Sequence, residues 1–196
     1  MTIASLMDNE DIRIENLNAE NESAENCKVF GGDVSECVFT GCSFSGSTFE
    51  NVYFRKVRFI SCDLSNTSFP ESTFRECCFE KCRLTGASFS ETLIDKCSFS
   101  GCSGKYTSFG GSELKSTELS SSRLEACCFA DAKFRSVRLS SCDLTGGDFG
   151  GTALGCCDLS DSIIAGARFS LNSLKGVTVS YEQAAELALL LGVKIK

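Results

Sequence analysis

Histidine and tryptophan are both missing from this chain of 196 residues, and proline occurs once, at Pro70. Without imidazole, Ser-His-Asp and Cys-His nucleophilic sites are excluded, and so is the commonest nitrogen ligand for a metal. Met1–Arg13 lacks both a basic stretch and a continuous apolar run, so no secretory signal is expected. No run reaches the length of a membrane-spanning helix. These absences point to a cytoplasmic chain, one domain in size, whose thiols stay reduced.

What the chain has in abundance is phenylalanine, cysteine and glycine: 16, 14 and 17 residues. Every fifth residue from Phe39 to Leu174 is large and apolar. Those 28 positions hold 15 Phe, 10 Leu, Ile94, Ile164 and a single Gly, Gly104. Only Phe30 among the phenylalanines lies off this register. Two residues before each centre the side chain is small, as at Cys37, Cys42, Ser47, Val52, Val57, Cys62, Thr67, Ser72 and Ala87.

A period of five fits neither a helix nor a simple strand. It is satisfied when each pentad makes one short wall and a turn, with the centre and the residue two before it both facing inward. Four walls then close a square coil of 20 residues. Stepping by 20 gives a single file of Phe49, Phe69, Phe89, Phe109, Phe129, Phe149 and Phe169, which are the expected core. With 29 pentads between Val34 and Leu174, seven coils at the β-sheet spacing span roughly 35 Å. Gly104 leaves a centre without a side chain, where a local bulge or notch is expected.

Pentads such as CDLSN (62–66), CRLTG (82–86), ASFSE (87–91) and CDLTG (142–146) resemble the A(D/N)LXX consensus of the pentapeptide-repeat family. The resemblance implies an all-β fold, a right-handed quadrilateral β-helix with a C-terminal capping and dimerisation α-helix. Three regions are expected: an acidic tail and degenerate first coil over 1–26, the solenoid over 27–179, and the cap over 180–196. No cofactor, small-molecule substrate or reaction is expected, because a core filled by Phe and Leu files leaves no pocket.

Eleven cysteines occupy the small inward position, where a thiol serves as a small apolar filler. The coil spacing holds stacked thiols too far apart for a disulfide. No Cys-x-x-Cys pair exists to hold zinc. Packing is therefore expected rather than metal or redox chemistry, with Cys78, Cys128 and Cys156 off register and better exposed.

The repeat ends at Ser180, which opens a capping box with Gln183. Ala184, Leu187, Ala188 and Leu191 then form one apolar stripe with Leu190 beside it, more apolar surface than one solenoid end needs. A homodimer through the C-termini is expected. The segment LKGVTVSYEQAAELALLLGV (174–193) resembles the C-terminal segment of the Qnr-type quinolone-resistance proteins. That resemblance implies a dimer similar to duplex DNA in size and charge, which binds DNA gyrase or topoisomerase IV and protects it from quinolones. Many such proteins carry loops between coils; this register is unbroken and resembles the loopless members.

Net charge is −7, unevenly spread. Residues 1–26 carry seven acids and one base, for −6, whereas residues 27–174 carry 17 acids and 15 bases, for only −2. The expected partner-binding surface is an acidic edge of Glu50, Glu71, Glu91 and Asp131, with Asp33 and Glu113 near the same corner and Asp143, Asp148, Asp158 and Asp161 near the dimer end. A basic edge of Arg55, Arg75, Lys115 and Arg135, interrupted by Asp95 and with Lys56 and Lys96 alongside, is expected one wall over. Direct nucleic-acid binding and membrane association are not expected. Two other functions fit the same surface: a structural scaffold for an unrelated partner, and immunity against a gyrase poison.

Overall fold

In the computed structural model, which describes residues 3, 5, 10–155, 157–190 and 192–194, the chain is a parallel β-solenoid of about eight turns with a short C-terminal helix. At the β spacing of about 4.8 Å per turn, the shaft is about 38 Å long. Walls 3 and 4 carry the regular strands. Wall 3 holds β1 (Glu10–Glu15), β3 (Lys28–Ser35), β5 (Thr48–Arg55), β7 (Thr73–Arg75), β9 (Leu93–Asp95), β11 (Glu113–Lys115) and β13 (Lys133–Arg135), each paired with the next, the first three starting on wall 2. Wall 4 holds β2 (Asn18–Glu20), β4 (Val38–Thr40), β6 (Arg58–Ile60), β8 (Cys78–Glu80), β10 (Ser98–Ser100), β12 (Glu118–Ser120) and β14 (Arg138–Ser140). Wall 1 runs as single bridges from Ser23 through Ser43 and Asp63 to Ile163, and wall 2 from Thr48 through Ser68 to Asp148. The last pair, β15 (Asp148–Phe149) with β16 (Arg168–Phe169), continues wall 2.

Every pairing joins residues 20 apart, from Glu10↔Phe30 to Asp158↔Thr178. The register therefore starts at Glu10, a coil before the phenylalanine files begin. Ile3 is buried against the core, and its amide donates to the Glu22 carboxylate at 2.7 Å.

Phe49, Phe69, Phe89, Phe109, Phe129 and Phe149 are buried, and Phe169 is partly buried at the end of the file. Their rings stack along the axis, with centroids 4.9 Å apart at Phe69–Phe89 and 5.2 Å at Phe149–Phe169. Neighbouring walls meet edge to face, as at Phe69–Phe74 (5.1 Å, 81°). Parallel stacks along the axis and perpendicular contacts across it fill the square section with the two ring geometries that aromatic quadrupoles favour.

Corners form at the second residue after each centre. All 21 non-glycine residues with positive φ lie there, from Asp11 to Ser141. Asn16, Asn21, Asn26, Asn51 and Asn66 tolerate this left-handed backbone well; Glu, Lys and Ser carry it because the corner amide gains a bond to the next coil. The Glu91 amide donates to Gly110 O at 2.9 Å and that of Asp131 to Gly150 O at 2.8 Å. Gly32 is the strictest case: φ is +116°, and any side-chain carbon would collide with the Ile12 backbone.

The small inward position does more than fill space. Ser72 Oγ accepts from Val52 N at 3.0 Å and donates to Phe49 O at 2.8 Å, joining two backbone groups of the coil before. Thr67 donates likewise to Phe44 O, Cys62 to Phe39 O, Cys82 to Phe59 O and Cys102 to Phe79 O. Cys, Ser and Thr interchange at this position because each brings a small donor to a buried carbonyl, which is costly to leave bare. The thiol is therefore a hydrogen-bonding part as well as a filler.

Burial pushes Cys37, Cys42, Cys127 and Cys142 above the ordinary thiol range. In the file Cys62–Cys82–Cys102, contact with Cys102, then with Cys62, then burial raise Cys82, whereas contact with Cys82 pulls both neighbours down. The carbonyls these thiols serve require the protonated donor throughout. Cys78 and Cys128 are half-buried, and Cys156 lies outside the described residues.

No bulge forms at Gly104, contrary to the sequence expectation. The wall-1 bridges pass Ser103 in register, and Thr107 Oγ1 fills the vacant side-chain position while donating to Gly104 O and Leu84 O at 2.8 Å each.

Candidate partner-binding surface

Glu71, Glu91 and Asp131 share one file at the corner between walls 2 and 3, with Glu50 one residue before that file. Left-handed backbone at the three corner positions turns their side chains outward, and all three are exposed. None of the four acids enters an ion pair among the described residues. Phe30, 56% exposed, precedes Glu50 by one coil on the same corner.

The basic file at the next corner is largely neutralised. Arg55 and Lys56 reach Glu36 at 3.2 and 3.5 Å, Arg75 reaches Asp95 at 3.3 Å, and Lys115 and Arg135 share Glu113 at 3.3 and 3.2 Å. The sequence places these bases in one column with Asp95 among them; the fold adds Glu36 and Glu113 from beside it. The uncompensated column of the shaft is thus the acidic one.

The other four expected acids do not join it. Asp143 is on wall 1, where its Oδ1 accepts from Thr145 N and Oγ1. Asp148 is on wall 2, paired with Arg168 at 2.6 Å. Asp158, on wall 4, caps Ser160; that hydroxyl and then its amide hold the carboxyl below the usual range. Asp161, at the corner between walls 4 and 1, is lowered mainly by the Ser141 amide. These acids form separate local turns and clamps rather than one patch.

At the C-terminal end, the helix Tyr181–Leu190 opens with the reciprocal capping box. Ser180 N donates to Gln183 Oε1 at 2.7 Å, and Gln183 N donates to Ser180 Oγ at 3.3 Å. Gln183 Nε2 also donates to Leu159 O and Ser162 O, at 2.8 and 2.6 Å, closing two carbonyls of the last coil. This second role has no sequence signature, since it depends on how the helix crosses the coil end.

The helix consequently turns Gln183 and Leu187 toward the solenoid. Leu187 packs on the core, Ala188 is half-buried and Ala184 is exposed. Leu190 ends the helix, and Leu191 lies outside the described residues. The apolar surface left open is instead Ile163, Leu171, Tyr181, Leu189 and Val193, five of the seven large exposed apolar residues described. Among the described residues no cluster of three or more acids and cysteines is placed to hold a metal. No helix there is long and apolar enough to cross a membrane.

The pentapeptide repeat region family matches residues 32–109, 52–126 and 72–149, which together span more than half of the sequence. The chain belongs to the pentapeptide-repeat family. No curated protein matches it. Among solved pentapeptide-repeat structures, HetL from the cyanobacterium Nostoc sp. strain PCC 7120, involved in heterocyst differentiation regulation, is similar at 14% identity and a TM-score of 0.53. That match covers 91% of this chain and 94% of HetL. QnrB1, a plasmid-mediated fluoroquinolone resistance protein, is similar at 19% identity and a TM-score of 0.43, over 92% of this chain and all of QnrB1. At these identities the likeness speaks to the pentapeptide-repeat fold alone.

Proposed function

We propose that this chain is a non-catalytic, DNA-mimicking protein that binds a type II topoisomerase, DNA gyrase or topoisomerase IV, and modulates its response to quinolones. The observation that carries the reading is the contrast between two corners: Glu50, Glu71, Glu91 and Asp131 stand unpaired, while the basic corner is neutralised. From Glu50 to Asp131 the corner climbs four coils, about 19 Å, with Gly111 vacant, so its four carboxylates stand on average roughly 6 Å apart. A DNA strand offers one phosphate per about 3.4 Å. The column is a sparser version of that charge pattern, and its binding depends strongly on salt.

A second copy supplies the rest of the reading. Tyr181, Leu189 and Leu171 leave apolar surface open at the C-terminal end, and a two-fold pairing there covers it and doubles the rod. The C-terminal segment 174–193, with its Qnr-type resemblance, supports the same arrangement.

The test is a gyrase supercoiling assay with and without ciprofloxacin, using the native protein and a Glu71→Lys, Glu91→Lys, Asp131→Lys triple variant. Rescue of supercoiling, or inhibition that weakens with salt, is expected from the native protein and at least about tenfold less from the variant. Equal activity of the two proteins, or none from either at tens of micromolar, removes the acidic corner as the binding surface. A monomeric mass in solution at micromolar concentration removes the two-fold arrangement.

A further inference from the structure

The hydrogen-bond ladder changes character near the C-terminal end. Between the coils of β11–β12 and β13–β14 it is continuous: Lys133 N donates to Ser112 O at 2.8 Å, Ser116 N to Arg135 O at 2.8 Å, Arg138 N to Thr117 O at 3.0 Å and Ser121 N to Ser140 O at 3.0 Å. One coil later the equivalent bonds are absent among the described residues. No bond joins Ala153 N to Ala132 O, Ser136 N to Gly155 O, Asp158 N to Val137 O or Ser141 N to Ser160 O. β13 pairs only with β11, and β14 only with β12. Phe134, Ser136 and Leu139 therefore turn backbone groups toward a neighbour that does not answer them.

Walls 1 and 2 remain laddered across the same junction. Leu144 N donates to Ile163 O, Gly146 N to Ala165 O, Ile163 N to Cys142 O and Arg168 N to Gly147 O, each at 2.8 Å, and β15 pairs with β16. Beyond the junction, the segment is bonded to the end of the chain. Leu154 N donates to Ser173 O at 3.2 Å, Thr178 N to Cys157 O at 3.0 Å and Leu159 N to Thr178 O at 2.9 Å, and Gln183 closes Leu159 O and Ser162 O.

We propose that this junction is a hinge. The last coil and the helix form one bonded unit, joined to the shaft along walls 1 and 2 and separable from it along walls 3 and 4. The separation is a cleft with two mouths. On wall 3 it opens to about 260 Å³ among Phe134, Ser136, Val137, Ala153 and Leu154; on wall 4 another 260 Å³ lies among Arg138, Leu139, Ser140, Asp158 and Asp161. Side chains bridge the cleft: Cys157 Sγ to Val137 O at 3.6 Å, and Ser141 Oγ to Asp161 Oδ2 at 3.1 Å. Backbone bonds on two adjacent walls and none on the other two define a bending axis that crosses the rod at the corner between walls 1 and 2. Closing the cleft offers β13 and β14 the partners they lack. The unit that tilts carries Leu171, Tyr181 and Leu189, so the hinge sets the direction in which the apolar end of the molecule points.

Two measurements on the full, unmodified chain test this. Amide hydrogen exchange is expected to be at least about tenfold faster at Phe134, Ser136 and Leu139 than at Leu114, Ser116 and Leu119, their equivalents one coil earlier. Equal protection overturns the open junction. Nitrogen-15 relaxation dispersion is expected to show microsecond-to-millisecond exchange at one common rate through 153–178 and the helix, and none through 93–120. Flat dispersion with fast exchange describes a fixed cleft and overturns the hinge. Asp161→Ala, which removes a bridge, is expected to raise exchange at Leu139 while leaving Leu119 unchanged; an unaltered Leu139 denies the bridge its role.

Discussion

The shaft and the C-terminal unit are built from the same pentads, yet they hold together differently. In the shaft, rings stack at about the coil spacing and backbone bonds run on four walls. In the last coil, Phe169 ends the ring file only partly buried, two walls lose their bonds to the coil before, and capping side chains take over. A repeat secures each coil through its neighbours, so the end of an array lacks half of that support and needs residues chosen individually. Gln183, Asp158 and Asp161 are such residues.

The largest test of this contrast lies in the ring file. Phe89→Ala removes a fully buried ring held between Phe69 and Phe109 and is expected to cost about 4 kcal/mol. Phe169→Ala removes a half-covered ring with one stacking partner and should cost under about 2 kcal/mol. Denaturant unfolding of both variants measures the gap; equal losses would mean that the end is packed as tightly as the shaft.

Gln183→Ala addresses the capping side. It strips the helix of its capping box, leaves Ser162 O without a donor and leaves Leu159 O with the Ser162 amide alone, for about 1–3 kcal/mol. The loss should be confined to the end, with far-UV helix signal falling while protection at Leu114 and Leu119 holds. Loss of protection along the whole shaft would contradict the division.

Acid gives the smallest effect. Ser160 lowers Asp158, the Ser141 amide chiefly lowers Asp161, and the Glu182 amide followed by the Ser180 hydroxyl lower Glu182. Each folded pKa lies below its unfolded value, so the stabilisation is complete above about pH 5 and fades as pH falls through the lowered values. Resonances of 158–162 and 181–187 should shift first in a titration from pH 5 to pH 2.5. Simultaneous change through 93–120 would mean that these carboxylates do not act locally.

The regular part of this architecture was legible because it is written redundantly: a Phe or Leu at nearly every fifth residue fixes the register, and files 20 apart fix the coil. The column of Glu71, Glu91 and Asp131 could be read by the same arithmetic. Sequence arithmetic failed where a contact joins unlike positions. Asp95 interrupts the basic file itself, but the rest of its neutral state depends on Glu36 and Glu113 reaching in from neighbouring files, which a file-by-file reading counts separately. The donor role of the small inward residues was hidden because volume alone already accounts for Cys, Ser and Thr there. The inward face of the helix was hidden because helical periodicity selects apolar positions and passes over a polar residue such as Gln183. In the fold Ala184 is exposed, and it is polar Gln183 that is buried against the coil end.

The 20-residue register also dictates how the molecule responds to force. Each coil touches only the coils above and below it, so pulling the termini apart releases chain one coil at a time. Every step releases about 70 Å of extended chain against a height of about 5 Å. The C-terminal unit, tied to the shaft on two walls, yields first and at the lowest tension, and the stacked phenylalanine coils follow as a train of nearly equal steps.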